Sequence, residues 1–499
     1  MKKYRIITGV IALMTLYSCA DMDLAPNDSA SSETYFRSEA EIQHARIGMY
    51  HSHATNNLFN GRVTEWDGMT DQLYDSKNFD GENEVFRGSL NSSTGGIVTG
   101  FYSNAYKVIA TANDLVKYVE ATDDALFSNR TKAQYIADAQ FFKAYYYFYL
   151  TELYGGVPLY KEALKDIESS KIKQSGKAEI LEYILKELDQ AIAALEDGPY
   201  QGYANKGSAR TLKGKILLHN ERWDEAASVL EAVISSGHYQ LAPKYDEMFW
   251  KKGQPNSEII LASEFKYPEF AHSMSRELVH SAMSVPRQEF VDSYLMSDGK
   301  PVSESALTSS DYQNRDPRFY MTVRLPEEIW YDSEGAPVSW EPSLTGGYYM
   351  KKFLDPALNT MTDLHINGTS EQGIIHLRYA DVLLMYAEAK FRTGGLTQGV
   401  VDNTINLIRS RVGMATVTNV ATMTDAEKLS LIKYERSIEL AFERHHFFDL
   451  RRWNEYGSTI LSLTDPLGLA SVWKDHFRLW PFNDSELILN PNLDQNPGY

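Results

Sequence analysis

The stretch AQYIADAQFFKAYYYFYLTELYGGVPLY, residues 133–160, decides the fold. Its apolar and aromatic residues spread around a helix of 3.6 residues per turn, and such a helix is either buried in protein or spans a membrane. Gly155, Gly156 and Pro158 are typical of the end of a helix. We predict a buried central helix of about 20 residues rather than a membrane span, because polar side chains interrupt the run: Asp138, Gln140, Lys143 and Glu152.

The composition is that of a globular protein with a large core. Of the 499 residues, 43% are hydrophobic, 23% are charged and 12% are aromatic. Aromatic residues in this excess serve cores, and they also serve surfaces that bind carbohydrate or protein. The net charge of −18 argues against a nucleic-acid partner and against electrostatic adhesion to anionic lipid.

The N-terminus has the pattern of a secreted lipoprotein. Basic residues at positions 2, 3 and 5 precede an apolar run, 6–16, that is too short to cross a bilayer. Leu16-Tyr17-Ser18-Cys19 resembles a bacterial lipobox, in which the cysteine is acylated and becomes the new N-terminus. We predict a signal peptide over 1–18, lipid attachment at Cys19 and a flexible polar tether over 19–32. The alternative is an ordinary secretory signal with a chance cysteine.

One helix pair has the pattern of a repeat unit. Residues 208–235 resemble a tetratricopeptide unit, a helix–turn–helix whose small residues allow close packing. A single unit cannot bury its apolar face alone, so other helices must stack on it. Helical periodicity predicts these over 33–50, 101–119, 178–195, 376–395, 401–412 and 426–453. The last is predicted as one long helix with ion pairs along its face among Glu435, Arg436, Glu439, Glu443 and Arg444.

Two long stretches lack a sustained period. Residues 51–100 and 237–361 are rich in Asn, Asp, Gly, Ser or Pro and carry isolated aromatic residues. Such stretches are usually functional or disordered, and the aromatic residues favour order. The C-terminal residues 479–499 hold too much Pro and Asn for a regular element.

Four segments, in this order after a lipobox, resemble the SusD/RagB family of outer-membrane glycan-binding lipoproteins. They are residues 139–160, LRYADVLLMYAEA at 377–389, ERSIELAFERHHFFDLRRW at 435–453 and NPNLDQNPGY at 490–499. The resemblance implies a mainly α fold, a tetratricopeptide-like scaffold of helical pairs that carries a loop-rich, mixed ligand-binding part. It implies one unit over 33–499: a helical part (33–239), a loop-rich variable part (240–375) and a second helical part (376–499).

The resemblance also implies a function. A SusD-like protein sits on the cell outer membrane, captures oligosaccharides and hands them to a SusC-like TonB-dependent transporter. Peptide capture, as in the RagB branch, is the alternative. No nucleic-acid partner, cofactor or metal in the binding site is expected, and the sequence leaves open whether a structural calcium is bound.

Motifs for catalysis are missing from the sequence. It contains no nucleophile elbow, zinc-protease motif, phosphate-binding loop or EF-hand loop, so we predict a binding protein rather than an enzyme. His445 and Asp449 are spaced to share one helical face and one metal ion, but a structural network of ion pairs and hydrogen bonds is the favoured interpretation. A pair of carboxylates for glycoside hydrolysis remains an open alternative, since the chain has many acidic residues.

Aromatic residues in the irregular stretches are the candidate sugar contacts. A sugar-binding surface needs exposed aromatic plates with amide, carboxylate or guanidinium groups beside them. We predict that Arg62, Asp67 and Asp71 form hydrogen bonds with the sugar. The flat rings on which the sugar stacks are predicted to come from Trp66, Tyr74, Trp330, Tyr331 and Trp340. The alternative for each aromatic residue is a buried anchor that holds its loop down.

Overall fold

The computed structural model describes residues 38–499 except 57–58, 79, 280–283, 306–311, 332–336, 338–344, 346 and 356–367. Cys19 and Trp340 therefore lie outside the described residues. Within them, α-helices dominate and strands are short, which confirms the predicted mainly α fold.

The N-terminal helices are α1 (Glu39–Ala54), α2 (Glu65–Gly68), α3 (Glu82–Arg87), α4 (Ile97–Ala121), α5 (Lys132–Tyr154), α6 (Lys177–Ala194), α7 (Lys206–His219) and α8 (Trp223–Ile234). The middle of the chain holds α9 (Met274–Val279), α10 (Gln288–Ser293) and α11 (Pro317–Thr322). The C-terminal helices are α12 (Tyr379–Arg392), α13 (Gln398–Asp402), α14 (Ile405–Arg411), α15 (Asp425–Glu439), α16 (His445–Arg452), α17 (Tyr456–Ser462) and α18 (Asp484–Leu489). None of the helices in the described part of the chain combines the length and apolarity of a bilayer span.

The predicted central helix is α5. Thr131 begins it with a capping box, accepting a hydrogen bond from the Gln134 amide while the Gln134 side chain binds back. Its side chains are buried on every face from Ala137 to Leu150. Gly155, at φ 73°, ends it. The prediction from its all-round apolar pattern is confirmed.

The helices form a continuous stack around α5. Helix α4 packs between α1 and α5, α6 packs on α5, and α7, α8, α12 and α15 follow in turn. The predicted repeat unit is the α7–α8 pair. A Cβ atom on Gly214 would lie 2.5 Å from Leu230 Cδ2, so only glycine permits this helix approach.

Short antiparallel ladders attach the loop-rich part to the helices. Strands β1 (Leu73–Asp75) and β3 (Ser284–Pro286) pair, as do β2 (Ile259–Ser263) and β6 (Ile374–Arg378), and β4 (Val323–Arg324) and β5 (Tyr349–Met350). The β2–β6 ladder packs on α7, and β3 packs on β5. The segment 51–100 is thereby joined to the middle of the chain.

The prediction of one long helix over 426–453 is wrong. Helix α15 ends at Glu439, and α16 begins at His445 after a turn in which Phe442 and Arg444 have positive φ. Buried Asp67 accepts hydrogen bonds from the amides of Arg444 (2.7 Å) and Phe447 (3.4 Å), which satisfies the free N–H groups at the start of α16. The C-terminal segment also differs from its prediction, because Asn483 caps the short helix α18.

The predicted ion pairs along one helix face are wrong. In the described residues, Glu435, Arg436, Glu439 and Glu443 pair instead with groups on other parts of the chain. Arg378, at the end of β6, lies 2.7 Å from carboxylate oxygens of Glu258, Glu439 and Glu443. All four side chains are buried. Burial raises the pKa of Glu439, but the surrounding cations outweigh this effect and lower the pKa to about 2. We define these four residues as the Arg378 clamp.

We expect Arg378→Met to destabilise the protein by about 3–5 kcal/mol, because it removes the one cation that three buried carboxylates share and leaves them with fewer positive charges than before. Urea unfolding followed by circular dichroism measures this. The matched control is Arg222→Met, which removes a part-exposed guanidinium from Glu225 and Glu182 and should cost less than about 1 kcal/mol. Equal losses in the two variants would contradict the structural role of the clamp.

Candidate functional site

Trp66 belongs to the core, so the prediction that it presents a plate to solvent is wrong. Its side chain is 0% exposed. Its ring lies nearly parallel to those of Phe59 and Trp480, at 5.7 and 5.9 Å, and edge-on to Phe101 at 5.6 Å. The short helix α2 places the indole inward, where it packs the irregular segment onto α4 and the C-terminal region.

The acids next to Trp66 are structural as well. Asp67 caps helix α16, and burial raises its pKa to about 7. Asp71 Oδ1 lies 2.6 Å from His446 Nε2 on the same helix. Arg62 forms ion pairs with Glu65 and Asp80. Asp67 and Asp71 thus hold α16 in place, and their predicted role as sugar hydrogen-bonding groups is not supported by their contacts.

Tyr74 is a buried anchor. It packs with Val285 and Tyr349, and the Arg287 guanidinium lies 5.1 Å from its ring centroid. The predicted exposed plate is again wrong here, and the alternative, a residue that holds its loop down, applies. The tyrosine still matters for the site, since it joins β1 to the strand that carries Tyr349.

Among the predicted aromatic residues that the structure describes, Tyr331 is the one that faces solvent. It is 51% exposed, and its neighbour Ile329 is 58% exposed. Trp330, between them in sequence, is 8% exposed, and its indole Nε1 donates to Glu328 Oε1 at 3.0 Å. Trp330 is therefore a buried anchor of its loop, and the prediction that it is an exposed ring is wrong.

Charged groups meet at Glu328, three residues before Tyr331. Lys351 Nζ donates to Glu328 Oε1 at 2.7 Å, and the Arg324 guanidinium donates to the Glu328 carbonyl and lies 5.0 Å from the Tyr349 ring centroid. Arg324 also pairs with Tyr349 across the β4–β5 ladder. These contacts connect the loop that carries Trp330 to strand β5. We define the loop face as Arg324, Glu328, Ile329, Trp330, Tyr331 and Lys351.

A second candidate surface was not predicted from the sequence. A cavity of about 500 Å³ lies between α4, residues 160–170 and the C-terminal segment around α18. The rings of Tyr102 and Tyr106 lie 4.8 Å apart, and those of Tyr106 and Tyr160 lie 5.5 Å apart. This volume is within the range of small-ligand sites. We refer to it as the tyrosine cavity.

Polar groups of the tyrosine cavity converge on the tyrosines. Asn113 Nδ2 donates to the carbonyls of Tyr160 (2.9 Å) and Glu162 (3.2 Å), while its buried Oδ1 has no hydrogen-bond donor. Burial raises the pKa of Glu486 on the opposite wall. The spacing of Tyr102, Tyr106 and Asn113 along one helix was the available sequence signal, but a stripe of this kind usually marks core.

The sequence-based metal candidate is an ion-pair network, as favoured. His445 Nδ1 lies 3.2 Å from Lys215 Nζ, and Lys215 pairs with Asp381. Asp449 instead pairs with Arg436 and Arg452. Among the described residues, the group with the spacing of metal ligands is a different one: Glu65, Asp75 and Glu82.

Comparison with known proteins gives consistent relatives over the whole chain. A SusD-like protein of Formosa agariphila, P2, is 25% identical over 100% of both chains, and a SusD-like protein of Bacteroides ovatus is 22% identical over 91% of this chain and 83% of its own. Among solved structures, a SusD-like carbohydrate binding protein of Bacteroides fragilis matches with a TM-score of 0.79 at 22% identity, covering 92% of this chain and 100% of that one. A surface glycan-binding protein A of Bacteroides fluxus matches at 0.73 and 21%, covering 93% and 100%.

Two family models divide the chain between them. One, described as starch-binding associating with outer membrane, matches residues 22–216, and the other, described as the SusD family, matches 280–499. Together they cover helices α1 to α6 and α10 to α18, and residues 217–279 lie between the two matches. Since the fold, the relatives and both models agree, the chain belongs to the SusD/RagB family.

Proposed function

We propose that this protein is a cell-surface lipoprotein that captures oligosaccharides and hands them to a SusC-like TonB-dependent transporter without altering them. The observation that carries the proposal is the match of fold, over 92% of the chain, to a SusD-like carbohydrate binding protein. The description of its family model, starch-binding associating with outer membrane, supports both the ligand class and the location. The lipobox at Cys19 supplies the anchor.

The loop face has the chemistry that a sugar requires. A pyranose offers an apolar C–H face and a rim of hydroxyls, and a half-exposed tyrosine ring loses little conformational entropy when it binds such a face. Tyr331 supplies the ring, and Glu328 and Lys351, which bond to each other, supply an acceptor and a donor of the same face. Trp330 holds the loop through its hydrogen bond to Glu328. We propose that the sugar stacks on Tyr331.

These contacts suit a protein that holds an oligosaccharide rather than one that hydrolyses it. Glu328 Oε1 accepts hydrogen bonds from both Trp330 and Lys351, so the position of this carboxylate is fixed by its neighbours. Glycoside hydrolysis instead needs a pair of carboxyl groups that flank the scissile bond, and among the residues of the loop face Glu328 is the single carboxylate. Peptide capture by the same face is the alternative, favoured by exposed Ile329, an apolar side chain that sugars do not need.

The tyrosine cavity is a second surface for the same function. Its tyrosine rings, the free Oδ1 of Asn113 and the carboxylate of Glu486 provide stacking and hydrogen-bonding groups in one concave space. Binding there buries more of a ligand than the loop face does, and suits a short oligosaccharide or a chain end.

We expect Tyr331→Ala to weaken oligosaccharide binding about tenfold, which corresponds to about 1.4 kcal/mol. A glycan array identifies the ligand, and isothermal titration calorimetry measures the affinity. The matched control is Tyr267→Ala, since Tyr267 is 53% exposed but lies outside the loop face. Unchanged affinity in Tyr331→Ala would remove the loop face from the site. Binding of an oligopeptide panel in place of any glycan would favour the alternative function.

We expect Ala110→Trp to abolish any binding that uses the tyrosine cavity, because Ala110 lies exposed on the cavity wall and an indole there fills the space. Calorimetry with the same ligand measures the effect. Lys107→Trp is the control, adding the same bulk to an exposed position of α4 that does not line the cavity. If both variants bind as the unmodified protein does, the cavity is not a sugar site.

We expect Cys19→Ser to prevent lipid attachment and release the protein from the outer membrane. Metabolic labelling with a fatty-acid analogue and membrane fractionation measure this, and the released protein should keep its sugar affinity. Affinity purification of the unmodified protein should also recover a TonB-dependent β-barrel. Labelling of the serine variant at the level of the unmodified protein would contradict the assignment of Cys19.

A further inference from the structure

Three buried carboxylates meet in the irregular N-terminal segment. Glu65 lies on α2, Asp75 at the end of β1 and Glu82 at the start of α3, and one oxygen atom of each lies within 4.8 Å of the others. All three side chains are buried. Like charges at this separation away from water are strongly unfavourable unless a proton or a cation joins them.

Hydrogen bonding leaves oxygen atoms of the group free. Asp75 Oδ1 accepts from the amides of Lys77 (2.9 Å) and Asn78 (2.7 Å), but its Oδ2 has no donor. Glu82 Oε2 accepts from the Asp80 amide at 3.2 Å, but its Oε1 has none. Neither oxygen of Glu65 accepts a hydrogen bond. Each carboxylate therefore keeps at least one oxygen available.

The neighbouring cation does not balance this charge. Arg62 Nε lies 3.0 Å from Glu65 Oε1, and the other end of the same guanidinium pairs with Asp80. One positive charge is thus shared with a carboxylate outside the group. Burial raises the pKa of Glu82 to about 8, with a further rise from Asp75, and burial and Glu82 raise the pKa of Glu65 well above its usual value.

Two further side chains next to the group each have an oxygen atom without a hydrogen-bond partner. Ser284 is 2% exposed, pairs with Asp75 across the β1–β3 ladder, and has a hydroxyl without a hydrogen bond. Ser284 and Glu65 also share the wall of a small cavity of about 10 Å³ next to the group, which Asp75 and Glu82 do not line. Asn83 donates from Nδ2 to the Asp75 carbonyl at 3.0 Å, and its buried Oδ1 is unpartnered.

We propose that Glu65, Asp75 and Glu82 bind one Ca²⁺ ion, with Ser284 and Asn83 as neighbouring oxygen donors. Calcium takes six to eight oxygen ligands at about 2.3–2.6 Å, so opposite ligands around it lie up to about 5 Å apart. One oxygen atom of each carboxylate lies within 4.8 Å of the others, which is inside this limit. Magnesium, at about 2.1 Å, needs a tighter octahedral shell. The ion joins α2, β1 and α3, and thereby fixes the strand that supports the loop face.

The test is calcium titration of the full-length protein in detergent after removal of metals with EGTA. We expect calorimetry to show one Ca²⁺ per chain and thermal unfolding to show a rise in Tm of about 2 °C or more at 1 mM Ca²⁺, with a smaller response to Mg²⁺. A flat titration without a Tm change would overturn the proposal and leave a shared proton as the solution to the charge cluster.

Variants identify the ligands. Glu82→Gln should lose the Ca²⁺ response while its Tm in EGTA stays equal or rises, because the substitution removes a buried like charge. Glu84→Gln is the matched control on the same helix; Glu84 accepts from Asn78, an interaction that glutamine keeps, so its Ca²⁺ response should be unchanged. Asp75→Asn provides a second ligand variant should Glu82→Gln not fold. A Ca²⁺ affinity in either ligand variant equal to that of the unmodified protein would overturn the assignment.

Discussion

The fold depends on the requirement that buried cations be matched by buried carboxylates. Arg378 stands at the junction of β6 and α12, and its three carboxylate partners come from the start of β2, the end of α15 and the turn after it. An arginine at this depth costs free energy unless each of its N–H groups finds an acceptor. The clamp therefore makes the loop-rich part and the C-terminal helices interdependent, because the Arg378 guanidinium has all its acceptors only when the three carboxylates approach it together.

The turn between α15 and α16 follows from the same requirement. A continuous helix would carry Glu439 and Glu443 along one face, and it would place the Arg444 amide in its own ladder rather than against Asp67. Breaking the helix costs two residues in the left-handed region, which for non-glycine residues is unfavourable. The gain is that Glu443 reaches Arg378 and Lys352, and that buried Asp67 obtains two amide donors.

The importance of such long-range contacts explains which features could be predicted from the sequence. The central helix, the α7–α8 pair and the mainly α class are visible because period and small-residue spacing are local properties. Trp66 and Tyr331 look alike in sequence, each an isolated aromatic residue in a polar stretch, yet one is sealed between Phe59 and Trp480 and the other is half exposed. No local signal separates them, since burial is decided by segments hundreds of residues away. The tyrosine cavity is hidden for the same reason, because its walls come from α4, residues 160–170 and α18.

The connection of the loop face to the core separates binding chemistry from stability. Lys351 and Lys352 are consecutive, but Lys351 contacts Glu328 on the loop face, whereas Lys352 donates to Glu443 and to the Ala441 carbonyl in the interior. Burial lowers the pKa of Lys352 to about 8 even beside Glu443, so this lysine is held at a real cost in free energy. Lys352 thus fixes the position of the strand, and its neighbour Lys351 lies on the face that we propose for the ligand. Under that proposal, substitutions at Glu328, Tyr331 or Lys351 change ligand binding without disturbing the charge balance around Arg378.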